Sequence, residues 1–165
     1  MKSRYNLILS FYPHARGFAY VVFERSLSPV DWGMSDLPGK QKARQCLRRL
    51  SALLDQYRPD VLLIRDVPQE GTTKRAATLL AAMKKLAEGR GIVSAAVSRE
   101  QIQEAFAHLG SPTRYAIVEA IIKDIPMLAP YAPPIRKIWN GEDRRMGLFD
   151  AAALALTFIR RRVHP

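Results

Sequence analysis

Cysteine and histidine are scarce in this chain of 165 residues, which has one cysteine, Cys46, and three histidines. A lone cysteine excludes a disulfide within the chain, and it excludes zinc sites that need two or more cysteines. Small secreted domains usually depend on disulfides, whereas a chain without them suits a reducing compartment. We therefore expect a cytoplasmic protein that is held together by a hydrophobic core.

Long apolar runs are also missing. The first run, Leu7–Phe11, is too short for the core of a signal peptide and far too short to cross a bilayer. No internal repeat, low-complexity tract or linker divides the sequence, and its length suits one domain. We expect a single domain over residues 1–165 that has no part in a membrane.

Acidic residues are fewer than basic residues. The sequence has 15 Asp and Glu and 26 Lys and Arg, which gives a formal net charge of +11. Excess positive charge attracts polyanions over a long range and makes their binding sensitive to salt. Solubility alone and attraction to anionic lipid are the alternatives, but no amphipathic membrane helix is evident. The charge favours nucleic acid as a partner, and we expect DNA rather than RNA.

Short apolar runs between turn residues predict the strands. Two runs on either side of a turn that contains Pro13 and Gly17 predict a β-hairpin within Asn6–Glu24, and Asp31–Met34 predicts a third strand. A fourth strand, buried on both faces, and a fifth are predicted over Val61–Ile64 and Ile92–Val97.

Apolar residues at helical spacing predict five helices, over residues 41–57, 72–88, 98–109, 111–125 and 142–162. Thr72 or Thr73 can cap the second helix, and Ser98 with Gln101 has the spacing of a capping box. The proline-rich segment Met127–Pro134 is predicted to be extended. Three strands followed by alternating helices and strands indicate an α/β fold with a mixed sheet.

Three segments carry a family resemblance. The first segment, Leu9–Tyr20, has an apolar strand, a turn that contains proline, and a second strand that begins with glycine and an aromatic residue. The second segment, Leu63–Val67, is the end of a buried strand and contains an acidic residue. The third segment, Phe149–Leu156, is an alanine-rich helix that contains Asp150. In this order, across nearly the whole chain, they resemble RuvC-type resolvases of the ribonuclease H-like superfamily. The resemblance implies a mixed five-stranded sheet flanked by helices, and it implies nucleic-acid binding.

The resemblance also implies carboxylates on the first strand, the buried strand and the last helix, which together hold two divalent cations. Here Tyr12, a poor ligand for Mg²⁺, takes the first position, and Arg65 takes the second. Asp66 would face the site only if its strand ended or bulged there. Asp150 is kept on the last helix, whereas Ala153 stands where resolvases have a second acid.

Glu142 and Asp143 precede Asp150 by about two turns, as in a related pattern of the family, and Asp143 shares a helix face with Asp150. If the chain is a nuclease, the resemblance implies Asp66, Glu142, Asp143 and Asp150 as catalytic residues. Asp66, Asp143 and Asp150 would then hold Mg²⁺ or Mn²⁺. Alternatively, Glu142 and Asp143 complement a helix dipole, and Asp150 is a structural acid paired with Arg65.

Basic clusters are the expected phosphate contacts. Arg16, Lys74 and Arg75 are predicted on loops or helix starts at the site end of the sheet, and Lys84 with Lys85 forms a further cluster. Each cluster alone is usually a solvated face, so the expectation rests on the clusters together.

Three functions remain open. We expect a nucleic-acid-binding domain that has lost or altered its metal-dependent cleavage. The second hypothesis is an active endonuclease for branched or other DNA, which dimerisation would favour because a four-way junction has two strands to cut. The third is a non-catalytic protein-interaction module.

Overall fold

An antiparallel meander forms the first half of the sheet. The structure is a computed structural model that describes residues 5–25, 27–37, 39–67, 72–110, 113–133 and 145–163. Strands β1 (Leu7–His14), β2 (Gly17–Glu24) and β3 (Ser28–Asp36) pair antiparallel in sequence order. The predicted hairpin and third strand are confirmed, and β3 is longer at both ends than its apolar residues suggested.

Two parallel strands complete the sheet. β4 (Val61–Arg65) pairs parallel with β1, and β5 (Val93–Val97) pairs parallel with β4. The strand order is β3-β2-β1-β4-β5, so β1 lies at the centre. The carboxyl ends of β1, β4 and β5 therefore meet at one edge of the sheet, where open α/β sheets usually carry their sites.

Five α-helices flank the sheet in the described part of the chain: α1 (Lys42–Tyr57), α2 (Lys74–Glu88), α3 (Arg99–Ala105), α4 (Arg114–Asp124) and α5 (Met146–Val163). Thr73, Ser98 and Thr113 cap α2, α3 and α4 with their side chains, and Ser98 and Gln101 form the predicted capping box. Among the described residues, no helix has the length and apolar character that a membrane crossing requires.

The two faces of the sheet bury separate cores. On one face Ile8, Val61 and Leu63 pack in a cluster with the apolar residues of α5. On the other face Leu9 and Leu62 pack in a cluster with residues of α1 and α2. Successive strand residues point to opposite faces, so each strand contributes to both cores. The predicted mixed sheet flanked by helices is confirmed.

Two elements differ from the sequence prediction, and one predicted boundary lies outside the described residues. Met127–Pro134 was predicted to be extended, but Met127–Tyr131 belongs to a 3₁₀ helix over Pro126–Tyr131. Pro126 stands in the first turn, where proline is tolerated, and the fixed φ of proline suits helical backbone. The predicted third helix is divided into α3 and a 3₁₀ turn over Ala107–Leu109. The predicted start of the last helix, at Glu142, lies outside the described residues.

Candidate functional site

A cavity of about 360 Å³ opens at the carboxyl edge of β1 and β4. Its walls come from both strands and from α3, α4 and α5. The polar and charged side chains around it are Tyr12, Arg65, Arg99, Gln103, Arg114 and Asp150. Its apolar lining consists of Ile102, Ile117, Val118, Met146, Phe149 and Ala153.

Tyr12 and Arg65 meet across two neighbouring strands. The parallel register pairs Ser10 with Leu63, which brings Tyr12 beside Arg65 two residues further on. Arg65 Nη1 donates a hydrogen bond to Tyr12 Oη at 3.0 Å, and the guanidinium carbon lies 6.0 Å from the centre of the phenol ring. Burial raises the pKa of Tyr12, and the negative charge of Asp150 adds to this rise. Tyr12 is therefore a neutral phenol at physiological pH.

Asp150 forms an ion pair with Arg114 at the same cavity. Arg114 Nη2 donates to Asp150 Oδ2 at 2.5 Å, and the Asp150 side chain is 25% exposed. Burial raises the pKa of Asp150, while the positive charges of Arg114 and Arg65 oppose that rise. Sequence reasoning paired Asp150 with Arg65. The structure instead gives the direct bond to Arg114, because α4 packs its first turn against α5.

His14 closes the hairpin end of the site. Its ring lies against α5 so closely that a Cβ on Gly147 would be 3.0 Å from the ring. Its Nδ1 accepts a hydrogen bond from the backbone N–H of Arg16 at 3.2 Å. Burial lowers the pKa of His14, although the charges of Asp36 and Asp150 act in the opposite direction.

The predicted acids are not brought together by the described residues. The alternation that turns Leu63 towards α5 also turns Arg65 into the cavity. Asp66 follows the end of β4, is exposed and does not line the cavity; its backbone N–H donates to the carbonyl of Val97 at 2.9 Å. Glu142 and Asp143 lie outside the described residues.

A two-cation site does not fit the described part of this cavity. Mg²⁺ requires several oxygen ligands, which are usually carboxylates. A phenol and a guanidinium occupy the two strand positions, and the carboxylate of Asp150 is bonded to a second guanidinium. Within residues 5–25, 27–37, 39–67, 72–110, 113–133 and 145–163, no group of three His, Cys, Asp or Glu is placed to hold a metal ion.

The predicted phosphate contacts lie in two places. Arg16 is exposed in the turn between β1 and β2, and Lys74 and Arg75 are exposed in the first turn of α2. Lys84 and Lys85 lie about ten residues further along α2, which is roughly 15 Å along the helix axis. The two basic clusters of α2 therefore mark opposite ends of one helix.

Among the polar residues of the site, sequence reasoning missed Arg99 and Gln103 and gave Arg114 no place in the site. A signal for two of the three was present. The N-cap residues Ser98 and Thr113 predict that the side chains immediately after them stand in the first turns of α3 and α4. What was lacking was the packing of these helix starts beside β4 and α5, which depends on tertiary contacts.

No protein-family model matches the chain, and no curated protein is similar to it at a significant level. Solved structures are similar. The RuvC of T. thermophilus in complex with a Holliday junction superposes with a TM-score of 0.68 and 16% identity, over 96% of this chain and 96% of that one.

Two further structures have the same architecture. The yeast mitochondrial Holliday junction resolvase gives a TM-score of 0.68 at 16% identity, over 94% of this chain and 78% of that one. The fowlpox virus Holliday junction resolvase gives a TM-score of 0.57 at 14% identity, over 94% of this chain and 99% of that one. Identities this low establish the fold alone, and the chain has the ribonuclease H-like fold of the RuvC-type Holliday junction resolvases.

Proposed function

We propose that this chain is a nucleic-acid-binding domain of RuvC-like architecture whose metal-dependent cleavage has been lost or altered. The net charge of +11 supports nucleic acid as the partner. Two of the similar structures are resolvases with Holliday junction DNA in their complexes, which makes branched DNA the first ligand to test. The proposal takes residues 1–165 as one domain in the cytoplasm.

The pairing of Tyr12 with Arg65 is the observation that carries this proposal. In the family that the sequence resembles, these strand positions hold carboxylates around divalent cations. Here the guanidinium of Arg65 brings a fixed positive charge to the same edge of the sheet, 3.0 Å from the phenol oxygen. A cation would be repelled by this charge, whereas a phosphate would be attracted by it.

The exposed basic residues would bind the backbone without reading sequence. Arg16, Lys74 and Arg75 are the proposed contacts at the site end of the sheet, and Lys84 and Lys85 would extend the contact along α2. Contacts of this kind fix the position of a nucleic acid and carry no information on its bases. The domain would therefore distinguish nucleic acids by shape rather than by sequence.

An active endonuclease is the second candidate, and the position of Asp150 in the cavity is the observation that favours it. In that case Asp150 would act with Asp66, Glu142 and Asp143, and Mg²⁺ or Mn²⁺ would activate water at the phosphate. Arg114 would have to leave Asp150 before the carboxylate could hold a cation. A homodimer would place two such sites on a junction with two strands to cut.

Binding and cleavage measured together separate the candidates. Labelled four-way-junction, duplex and single-stranded DNA would be incubated with the protein and Mg²⁺ or Mn²⁺, and with the Asp150→Asn variant. We expect salt-sensitive binding without cleavage. Metal-dependent cleavage that is lost in Asp150→Asn would establish the endonuclease instead, and absence of binding to all three DNAs would contradict both.

A further inference from the structure

Among the described residues, the walls of the cavity carry more positive than negative charge. Arg65, Arg99 and Arg114 contribute three guanidinium groups, and Asp150 contributes one carboxylate. The formal charge of this described lining is therefore +2 when Asp150 is ionised. A guanidinium has five N–H donors, so a single bond, such as that of Arg65 to Tyr12, leaves most of them for other acceptors.

Part of the cavity wall is apolar and buried. Met146, Phe149, Ala153 and Val118 are all at most 4% exposed, and they belong to the core that α5 and α4 form with the sheet. Small-molecule sites typically combine an apolar wall with a few convergent polar groups, in a volume of roughly 300 to 1,000 Å³. The cavity, at about 360 Å³, lies at the lower end of that range.

We propose that this cavity binds one nucleotide unit, holding its phosphate directly with Arg99 and Arg114 and placing its base or sugar against the apolar wall. The inference deepens the proposed function and rests on it. No divalent cation takes part, because the guanidinium groups supply the positive charge that a cation would supply. Arginine suits this role, since its planar fork matches phosphate oxygens in a bidentate geometry.

Asp150 has a positioning role in this site. Its bond to Arg114 at 2.5 Å fixes the direction of that guanidinium in the wall of the cavity. Arg65 is held in the same way by Tyr12 at 3.0 Å. A side chain that is already fixed loses less entropy when it binds a ligand, so both bonds favour a site that is formed before the nucleotide arrives.

Two ligands have a phosphate and a base that this cavity could bind. One is a nucleotide unit within a nucleic-acid strand, and the other is a free nucleotide. The phosphates of a DNA duplex lie on its outside, so they could reach the cavity, but the paired bases could not enter it. An unpaired nucleotide, in contrast, can enter with its base. The experiment must therefore include a mononucleotide, its nucleoside and a single-stranded oligonucleotide.

Calorimetric titration of the full chain in EDTA tests the inference, with thymidine 5′-monophosphate, thymidine and inorganic phosphate as probes. We expect the monophosphate to bind in EDTA and thymidine to bind at least about tenfold more weakly, because bonds to a charged phosphate are lost. Arg99→Gln is expected to weaken monophosphate binding by about tenfold or more. Arg99 is exposed at the start of α3, so this variant should fold normally.

Lys123→Gln is the matched control, since Lys123 is exposed at the far end of α4 and does not line the cavity. It removes the same charge and should leave monophosphate binding unchanged. Equal weakening in both variants would show a general charge effect and overturn the pocket. Binding that requires Mg²⁺, or inorganic phosphate and thymidine binding as tightly as the monophosphate, would also overturn it.

Competition with a single-stranded oligonucleotide identifies the source. Displacement of the oligonucleotide by the monophosphate supports a nucleotide unit of a strand, whereas simultaneous binding supports a free nucleotide. DNA binding without any monophosphate binding would overturn the pocket and leave the proposed function standing. Absence of DNA binding together with absence of monophosphate binding would contradict the proposed function itself.

Discussion

At the scale of single residues, the charge of Asp150 opposes folding. Burial raises the pKa of its carboxyl above the ordinary value, so the folded state favours the protonated form. The stabilising contribution of that form is fully present below the ordinary pKa of an aspartate and is lost as pH rises through the raised pKa. At neutral pH the ionised carboxylate is retained with the help of Arg114 and Arg65.

We therefore expect Asp150→Asn to be more stable than the wild-type chain at neutral pH, with the difference disappearing at about pH 3. Urea unfolding across this range measures it. Asp124→Asn, which removes the exposed ion pair with Arg160, is the control and should lower the unfolding free energy by less than about 1 kcal/mol at neutral pH. A loss of stability in Asp150→Asn at neutral pH would show that the Arg114 pair outweighs burial.

Gly17 illustrates a second constraint at this scale. A Cβ on Gly17 would lie 1.9 Å from the carbonyl oxygen of Ser35, so β2 could not keep its register with β3. Gly17→Ala is expected to lower the unfolding free energy by about 2 kcal/mol or more.

Gly89→Ala is the matched control for that substitution. Gly89 has φ −61°, and its added Cβ would meet nothing closer than the carbonyl of Lys85 at 3.4 Å. This variant should range from unchanged to about 1 kcal/mol more stable, since alanine restricts the unfolded chain. Equal stability of the two variants, measured by denaturant unfolding, would contradict the steric argument.

Part of the site could be predicted from single residues. The resemblance identified Tyr12 and Arg65 as the strand positions of the site, and the structure lines the cavity with both. The partner of Asp150 could not be predicted, because it depends on how α4 packs against α5 and not on any spacing in the sequence. Whether Asp66, Glu142 and Asp143 take part in chemistry stays a prediction.

At the scale of elements, the N-caps position the arginines of the cavity. Ser98 and Gln101 exchange two hydrogen bonds at the start of α3, at 3.1 and 3.0 Å, and Arg99 follows Ser98 directly. Loss of these bonds frees the first turn of α3, which carries a guanidinium of the cavity. The cap therefore affects both stability and the site.

Ser98→Ala is expected to lower the unfolding free energy by about 1 kcal/mol and to weaken monophosphate binding. Thr73→Ala removes the cap of α2, which does not line the cavity, so it should reduce stability by a similar amount and leave monophosphate binding unchanged. Denaturant unfolding and calorimetry on the two variants give both quantities. If Ser98→Ala lowers stability but leaves monophosphate binding unchanged, the first turn of α3 does not contribute to the binding site.

The elements themselves were largely predictable because their signals are local. Apolar runs gave the strands, and Ser98 with Gln101 gave the capping box. The prediction of an extended segment over Met127–Pro134 is wrong for Met127–Tyr131, because the φ of proline is compatible with a short helix as well as with extended backbone. The backbone conformation of this segment depends on the packing of Leu128, whose side chain is fully buried in the core.

At the scale of the whole molecule, the excess of positive charge should make nucleic-acid binding depend steeply on salt. The slope of log K against log salt concentration is negative, and each phosphate contact that is lost reduces its magnitude by about 0.9 for duplex DNA. Lys74→Gln is expected to show this decrease, because Lys74 is exposed at the site end of α2. Lys123→Gln, with the same change in charge, should keep the wild-type slope. If the salt dependence of Lys74→Gln equals that of Lys123→Gln, the DNA does not contact Lys74.

The layered architecture was predictable at this scale as well. A meander followed by alternating strands and helices indicated a mixed sheet with helices on both faces, and the two cores confirm it. The cavity was not predictable in shape or volume, since it arises where the starts of α3 and α4 meet α5 above the strand ends. Local patterns carry no information on such an arrangement.

The buried stretches of the two site strands end just before the site. In β1 the buried residues run from Ile8 to Phe11, and in β4 from Val61 to Ile64; Tyr12 and Arg65 are the next residues of each strand. Substitutions at these two positions can therefore reverse the electrical sign of the cavity while the core stays intact. A cation-binding form of this fold and the anion-binding form proposed for this chain would therefore differ at few positions, and those positions lie outside the fully buried part of either strand.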